Sequence, residues 1–181
     1  MANTPYLMFT QQAAGPSLTA GTAASLLVAG SPAAGQLRNT IPAGWLNAVG
    51  TTITVDLYGT LSTAATPGTG TWSLYFGSTA IWNSTAITLT ASMSTWPWHV
   101  HLETVVRAVG ATTAATVYGS GYLVMGTAAN ASNVNQFTPG AGASGFDSTV
   151  PNVLDYWFTE SLGTATCVLQ QAKAVIWNPY Y

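Results

Sequence analysis

The sequence predicts an all-β protein: a β-sandwich of jelly-roll-like type with an extended N-terminal arm. Three observations predict it. Apolar residues recur at every second position through most of the chain, turn residues interrupt these runs at short spacing, and no segment carries the 3.6-residue apolar period of an amphipathic helix.

The arm is residues 1–50. Pro5, Pro16, Pro32 and Pro42 punctuate it, and short apolar patches at Tyr6–Phe9 and Leu26–Val28 sit among Gly, Ala, Thr and Ser. This pattern predicts extended chain carrying one or two short strands, ordered when it lies on the sandwich or on a neighbouring subunit. After Pro42, Ala43–Val49 has room for a single turn.

The sandwich is residues 51–181. Ile53, Val55 and Leu57 alternate with Thr52, Thr54 and Asp56, and Trp72, Leu74 and Phe76 alternate with Thr71, Ser73 and Tyr75. The same pattern recurs at Ile87 and Leu89, at Trp98, Val100 and Leu102, at Leu154, Tyr156 and Phe158, and at Cys167 and Leu169, with Val175 and Trp177 following. β-Branched and aromatic residues fill these runs, as they do half-buried strands. Gly59-Thr60, Pro67-Gly68, Gly77-Ser78, Gly110, Pro139-Gly140 and Gly163 supply the turns. Residues 127–149, rich in Asn, Gly and Ala, read as a long loop on the surface or against a partner.

Composition narrows the function. Only 4% of the 181 residues are charged, against about 25% in an average soluble domain. Thr, Ser, Ala, Gly and Asn take their place, and a surface of such residues neither repels its neighbours nor costs much to desolvate. The net charge of −2 gives no electrostatic footprint for nucleic acid and no polybasic membrane signal. No apolar run approaches the ~20 residues of a spanning helix. An outer-membrane barrel also alternates, but the aromatic girdles of one are missing. The opening Met1-Ala2-Asn3-Thr4-Pro5 has no basic region and is not expected to be a secretory signal. The single cysteine, Cys167, reads as a small buried hydrophobe.

Chemistry-bearing residues are few. His99, His101 and Glu103 alternate along one strand and so share a face; they are weak metal candidates, and no metal or other cofactor is expected. Trp96 and Trp98 flank Pro97 and could stack on a sugar, although packing is the more frequent use of such residues. Tyr180 and Tyr181 at the C-terminus are candidate partner anchors. Arg107 is expected to pair with a carboxylate across the sheet. No nucleophile elbow, phosphate loop, dinucleotide fingerprint or metalloprotease motif is present, so no catalytic residue is assigned and an enzyme is not expected.

Thr51–Val124 resembles a group of small tailed-bacteriophage virion proteins. The likeness is carried by a strand ending at Gly59, the turn Thr63–Gly68, a Trp/Leu strand ending at Gly77, the Thr/Ala run Ala86–Ala91, Pro97-Trp98, Arg107–Gly110 and the Gly-rich strand Tyr118–Val124; Val153–Trp177 is similar to the group's closing strands. The resemblance implies a sandwich displayed on the particle, either a head-decoration (cement) protein or a tail accessory protein, commonly trimeric. The arm lacks the repeats of a fibre shaft, which favours decoration of the outer head over the tail. The expected partners are copies of itself and the major capsid protein, with no nucleic acid and no membrane. Tyr6, Leu7, Phe9, Leu26, Leu27 and Arg38 are the expected arm contacts. The alternative is a tail or head-surface module binding host glycans through Trp96, Trp98 and residues 127–149.

Overall fold

The computed structural model describes residues 5–10, 14–18, 21, 23–27, 40–77, 79–128, 131–141 and 145–177. Arg38, Tyr180 and Tyr181 lie outside them. Twelve strands follow in order: β1 Pro5–Thr10, β2 Ala24–Ser25, β3 Thr40–Ile41, β4 Thr52–Thr63, β5 Thr69–Phe76, β6 Thr79–Asn83, β7 Ile87–Thr88, β8 Trp96–Ala108, β9 Thr116–Ala128, β10 Ala131–Ala141, β11 Asn152–Glu160 and β12 Ala165–Trp177. They form two antiparallel sheets, with no helix among the described residues. The first sheet runs β1-β12-β4-β8-β9-β10, and the second runs β2-β11-β5-β6, with β3 on β11 and β7 on β5. The protein is an all-β sandwich.

The alternation read in the sequence is the reason for this arrangement. In β4, Ile53, Val55, Leu57 and Leu61 turn inward while Thr52, Thr54, Asp56 and Tyr58 turn outward. In β8, Trp98, Val100, Leu102 and Val106 turn inward. The second sheet answers with Trp72, Leu74 and Phe76 from β5 and Leu154, Tyr156 and Phe158 from β11. The indole of Trp72 bridges the layers, 6.0 Å from the Trp98 ring and 4.9 Å from the Phe158 ring between centroids. Each such ring withdraws roughly 150–250 Å² from water. Apolar burial on this scale stabilises a chain that has no disulfide.

Two features differ from the sequence reading. Residues 131–141, expected as loop, form a full strand on β9, pairing Val134 with Val124 and Gln136 with Tyr122. Neutral Asn and Gln are poor strand formers by propensity, but the adjacent β9 supplies their backbone partners. In β12 the inward face changes parity: Cys167 and Leu169 point in, and then Ala172, Ala174 and Ile176 do, leaving Trp177 exposed. A bulge between the pairing of Leu169 and that of Gln171 inserts the extra residue. The described part of residues 1–50 lies against the two sheets, one of the two placements expected of the arm. β1 pairs with β12, β2 and β3 pair with β11, and Leu18 bridges Cys167.

A buried carboxylate fastens one end. Glu160 closes β11 at 1% exposure. Its Oε1 accepts the backbone N–H of Gly68 (3.0 Å) and of Leu162 (3.1 Å), and its Oε2 accepts that of Thr164 (2.7 Å). One side chain thus ties the β4–β5 turn to the β11–β12 turn. Burial pushes its carboxyl up, but the N–H groups of Thr164, Leu162, Gly68 and Ala165 outweigh that and hold it below the usual carboxylate range.

Candidate functional site

The outer face of the first sheet carries Tyr58, Tyr118, Tyr122, Trp177 and the two histidines, His99 and His101. Strand register places them in rows. Lys173 of β12 stands opposite Asp56 of β4, Asp56 opposite His101 of β8, and His101 opposite Tyr122 of β9. One row along, Gln171, Tyr58, His99 and Val124 line up in the same way, and Val134 of β10 follows Val124. At the far end, Trp177, Thr52, Val105 and Tyr118 make a third row.

Within these rows the side chains hold one another. Asp56 Oδ1 accepts from His101 Nδ1 at 2.8 Å and from His99 Nε2 at 3.3 Å. The Tyr58 ring stacks on His99, the Tyr122 ring stacks on His101 with centroids 5.2 Å apart, and Tyr122 meets His99 edge-on at 5.9 Å. Burial raises the Asp56 carboxyl, but the hydrogen bonds from His101 and His99 prevail and hold it below its usual range. Burial and the Asp56 charge push the Tyr58 phenol up. Arg107 lies over the Tyr118 ring, 5.5 Å from its centroid. Tyr58, Tyr118 and Tyr122 thus each have a ring partner within the sheet and remain 36–39% exposed.

His99 and His101 share one face of β8, as the alternation predicts, but their partner is Asp56 of the adjacent strand. Glu103 lies on the same face opposite Thr54 and Ser120. Among the described residues no group of three or more His, Cys, Asp or Glu is arranged to hold a metal ion. Among the described residues the carboxylate contacts to basic side chains are those of Asp56 with His99 and His101. Arg107, expected to pair with a carboxylate, takes the Tyr118 ring instead. Trp98 is 2% exposed and packs in the core, so it has no face to offer a sugar; Trp96 is half-buried against that core. Leu26 and Leu27, expected as contacts with other subunits, are buried in this chain's own core, which consumes their apolar surface. Tyr6, Leu7 and Phe9 lie in β1 on the β12 edge.

The sequence reading singled out none of Tyr58, Tyr118 and Tyr122 for this face. The spacing Tyr118-x-x-x-Tyr122 in a strand was a usable signal, since it puts both rings on one side. The partnership of Asp56 with His101 was not readable, because β5, β6 and β7 intervene in the chain.

No protein-family model matches the chain, and no curated protein matches it. Among solved structures it is similar to the CBM2 module of the evolved Dit of Lactobacillus casei BL23 phage J-1, at 13% identity and a TM-score of 0.35, over 78% of this chain and 69% of that one. That likeness is too slight to assign a function.

Proposed function

We propose that the chain is a non-catalytic structural protein of a tailed-phage particle, a decoration protein that packs on the outer head shell. The observation that carries this reading is the outer face of the first sheet: broad, aromatic and nearly neutral. Such a face suits contact with protein, because removing it from water sacrifices few charge–solvent interactions. The resemblance of Thr51–Val124 to small virion proteins supports the particle as the setting. Its action is mass action, since binding to the assembled shell and not to its disassembled parts stabilises the shell.

Quantifying the chain in purified particles tests the reading. A decoration protein is present in hundreds of copies and rebinds heads stripped of it. Absence from the particle would overturn the proposal, and a handful of copies would move the chain to the tail. The alternative of a glycan-binding module has less support, because the buried Trp98 was one of its two stacking side chains.

A further inference from the structure

Two histidines of the outer face share one carboxylate oxygen. His101 Nδ1 lies 2.8 Å from Asp56 Oδ1, and His99 Nε2 lies 3.3 Å from the same atom. An ionised carboxylate only accepts, so each neutral ring presents an N–H to Asp56. The other nitrogen, Nε2 of His101 and Nδ1 of His99, is then the atom that takes up a proton. The side chains of Asp56, His99 and His101 are 24%, 26% and 29% exposed, so protons reach them without any opening of the fold. The neighbouring strands fix the surroundings. β4 brings Asp56 and Tyr58, β9 brings Tyr122, and β12 sets Lys173 opposite Asp56. β8 itself adds Glu103 and, farther along, Arg107 over the Tyr118 ring of β9. β10 has no ionisable residue.

We infer that the Asp56–His99–His101 cluster is a proton-sensitive switch on the contact face, and that mild acid weakens the contact. The inference deepens the proposed function and rests on it, since the contact it regulates is the one with the shell. Charge gives the direction. With neutral imidazoles the face is balanced, Asp56 and Glu103 standing against Arg107 and Lys173. Imidazoles as a class take up a proton between about pH 5 and 8. Protonation of His99 and His101 adds one positive charge at each ring, and the single Asp56 carboxylate cannot neutralise both. Asp56 keeps its own charge meanwhile: burial raises its carboxyl, but the hydrogen bonds from His101 and His99 hold it below the usual range. The Tyr58 phenol, pushed up by burial and by the Asp56 charge, stays neutral. Tyr58 stacked on His99 and Tyr122 stacked on His101 hold the rings in place, so the added charge stays on the face. Contact with protein withdraws that charge from water, which is costly for any part of it left unpaired.

Two measurements on the full chain test this. The first is NMR of the imidazoles in the free protein, where the chain's 2 histidines give separate signals. Both rings are expected to change from neutral to protonated between about pH 7.5 and about pH 5.5. A ring that stays neutral throughout would overturn the inference. The second is the affinity for heads stripped of the chain, taken as the ratio between the same two pH values. The wild type is expected to bind about tenfold or more weakly in acid, and the double variant His99→Gln, His101→Gln to change less than about threefold. His99→Gln alone, which removes the longer of the two contacts with Asp56, should give an intermediate ratio and serves if the double variant does not fold. Ratios equal to that of the wild type would overturn the inference, because the pH dependence would then belong to the shell. Those ratios would leave the proposed function standing, whereas a wild type that binds at neither pH would overturn the proposed function itself.

Discussion

The phenol ring of Tyr58 lies flat on the imidazole of His99, with centroids 4.2 Å apart and 6° between the planes. The two residues are opposite one another in the β4–β8 register, so backbone pairing sets the contact. Removing it is expected to be mild: Tyr58→Ala should cost about 0.5–1.5 kcal/mol of subunit stability. Trp98→Ala, one residue away on the inward face, should cost about 3–5 kcal/mol. Urea unfolding of both variants at one chain concentration checks the contrast, and equal losses would mean that the outer face is packed like a core.

Gly59 sits under the Trp98 indole. A Cβ at this position would run into that ring and into the Val168 carbonyl of the adjacent strand. Gly59→Ala is therefore expected to destabilise by roughly 1–3 kcal/mol, because a rigid ring and a paired backbone leave nothing to move. A thermal melt of this variant that matches the wild type would contradict the close approach.

Glu160 makes stability depend on pH with a definite sign. Its folded carboxyl is held below the ordinary range, so its contribution is complete above the unfolded value and is lost as pH falls through the folded one. Glu160→Gln should lose about 2–3 kcal/mol near neutrality, since buried N–H donors lose a charged acceptor. The deficit should shrink on acidification. The dependence that remains in the variant belongs to Asp56 and Asp147, whose carboxyls are also held low. Melting curves from pH 7 down to pH 3 would show a constant deficit if Glu160 had no such role.

Cys167 is fully buried, and burial pushes its thiol far above the usual range. Reaction with a thiol reagent at neutral pH is expected only at the rate at which the chain opens, with full labelling in denaturant. Rapid labelling of the native protein would place the sulfur elsewhere.

Much of this fold was legible in the sequence, because burial on one face of a strand imposes a period of two and leaves a visible trace. The inward sets of β4, β5, β8 and β11 are the ones that the alternation identified. Legibility ended where structure depends on pairing. The bulge after Leu169 reversed the parity of β12 and exposed Trp177, and no local residue preference announces it. β10 looked like loop because Asn133, Asn135 and Gln136 have little strand preference of their own. The candidate site was half visible: His99 and His101 stood out as a pair, but Asp56, 43 residues before His99, reaches them only through the sheet. Trp98 attracted attention as an aromatic, and only three-dimensional packing shows that its ring is already used.

Hydroxyl-radical footprinting of the native protein tests the central claim most directly. In an isolated subunit Tyr58, Tyr118 and Tyr122 are 39%, 38% and 36% exposed, whereas Tyr75 is half-buried. If the outer face of the first sheet is a contact face, the first three tyrosines should be oxidised several-fold more slowly in chain bound to the particle than in free chain, while Tyr75 changes little. Equal reactivity of Tyr58 and Tyr122 in the two states would contradict it.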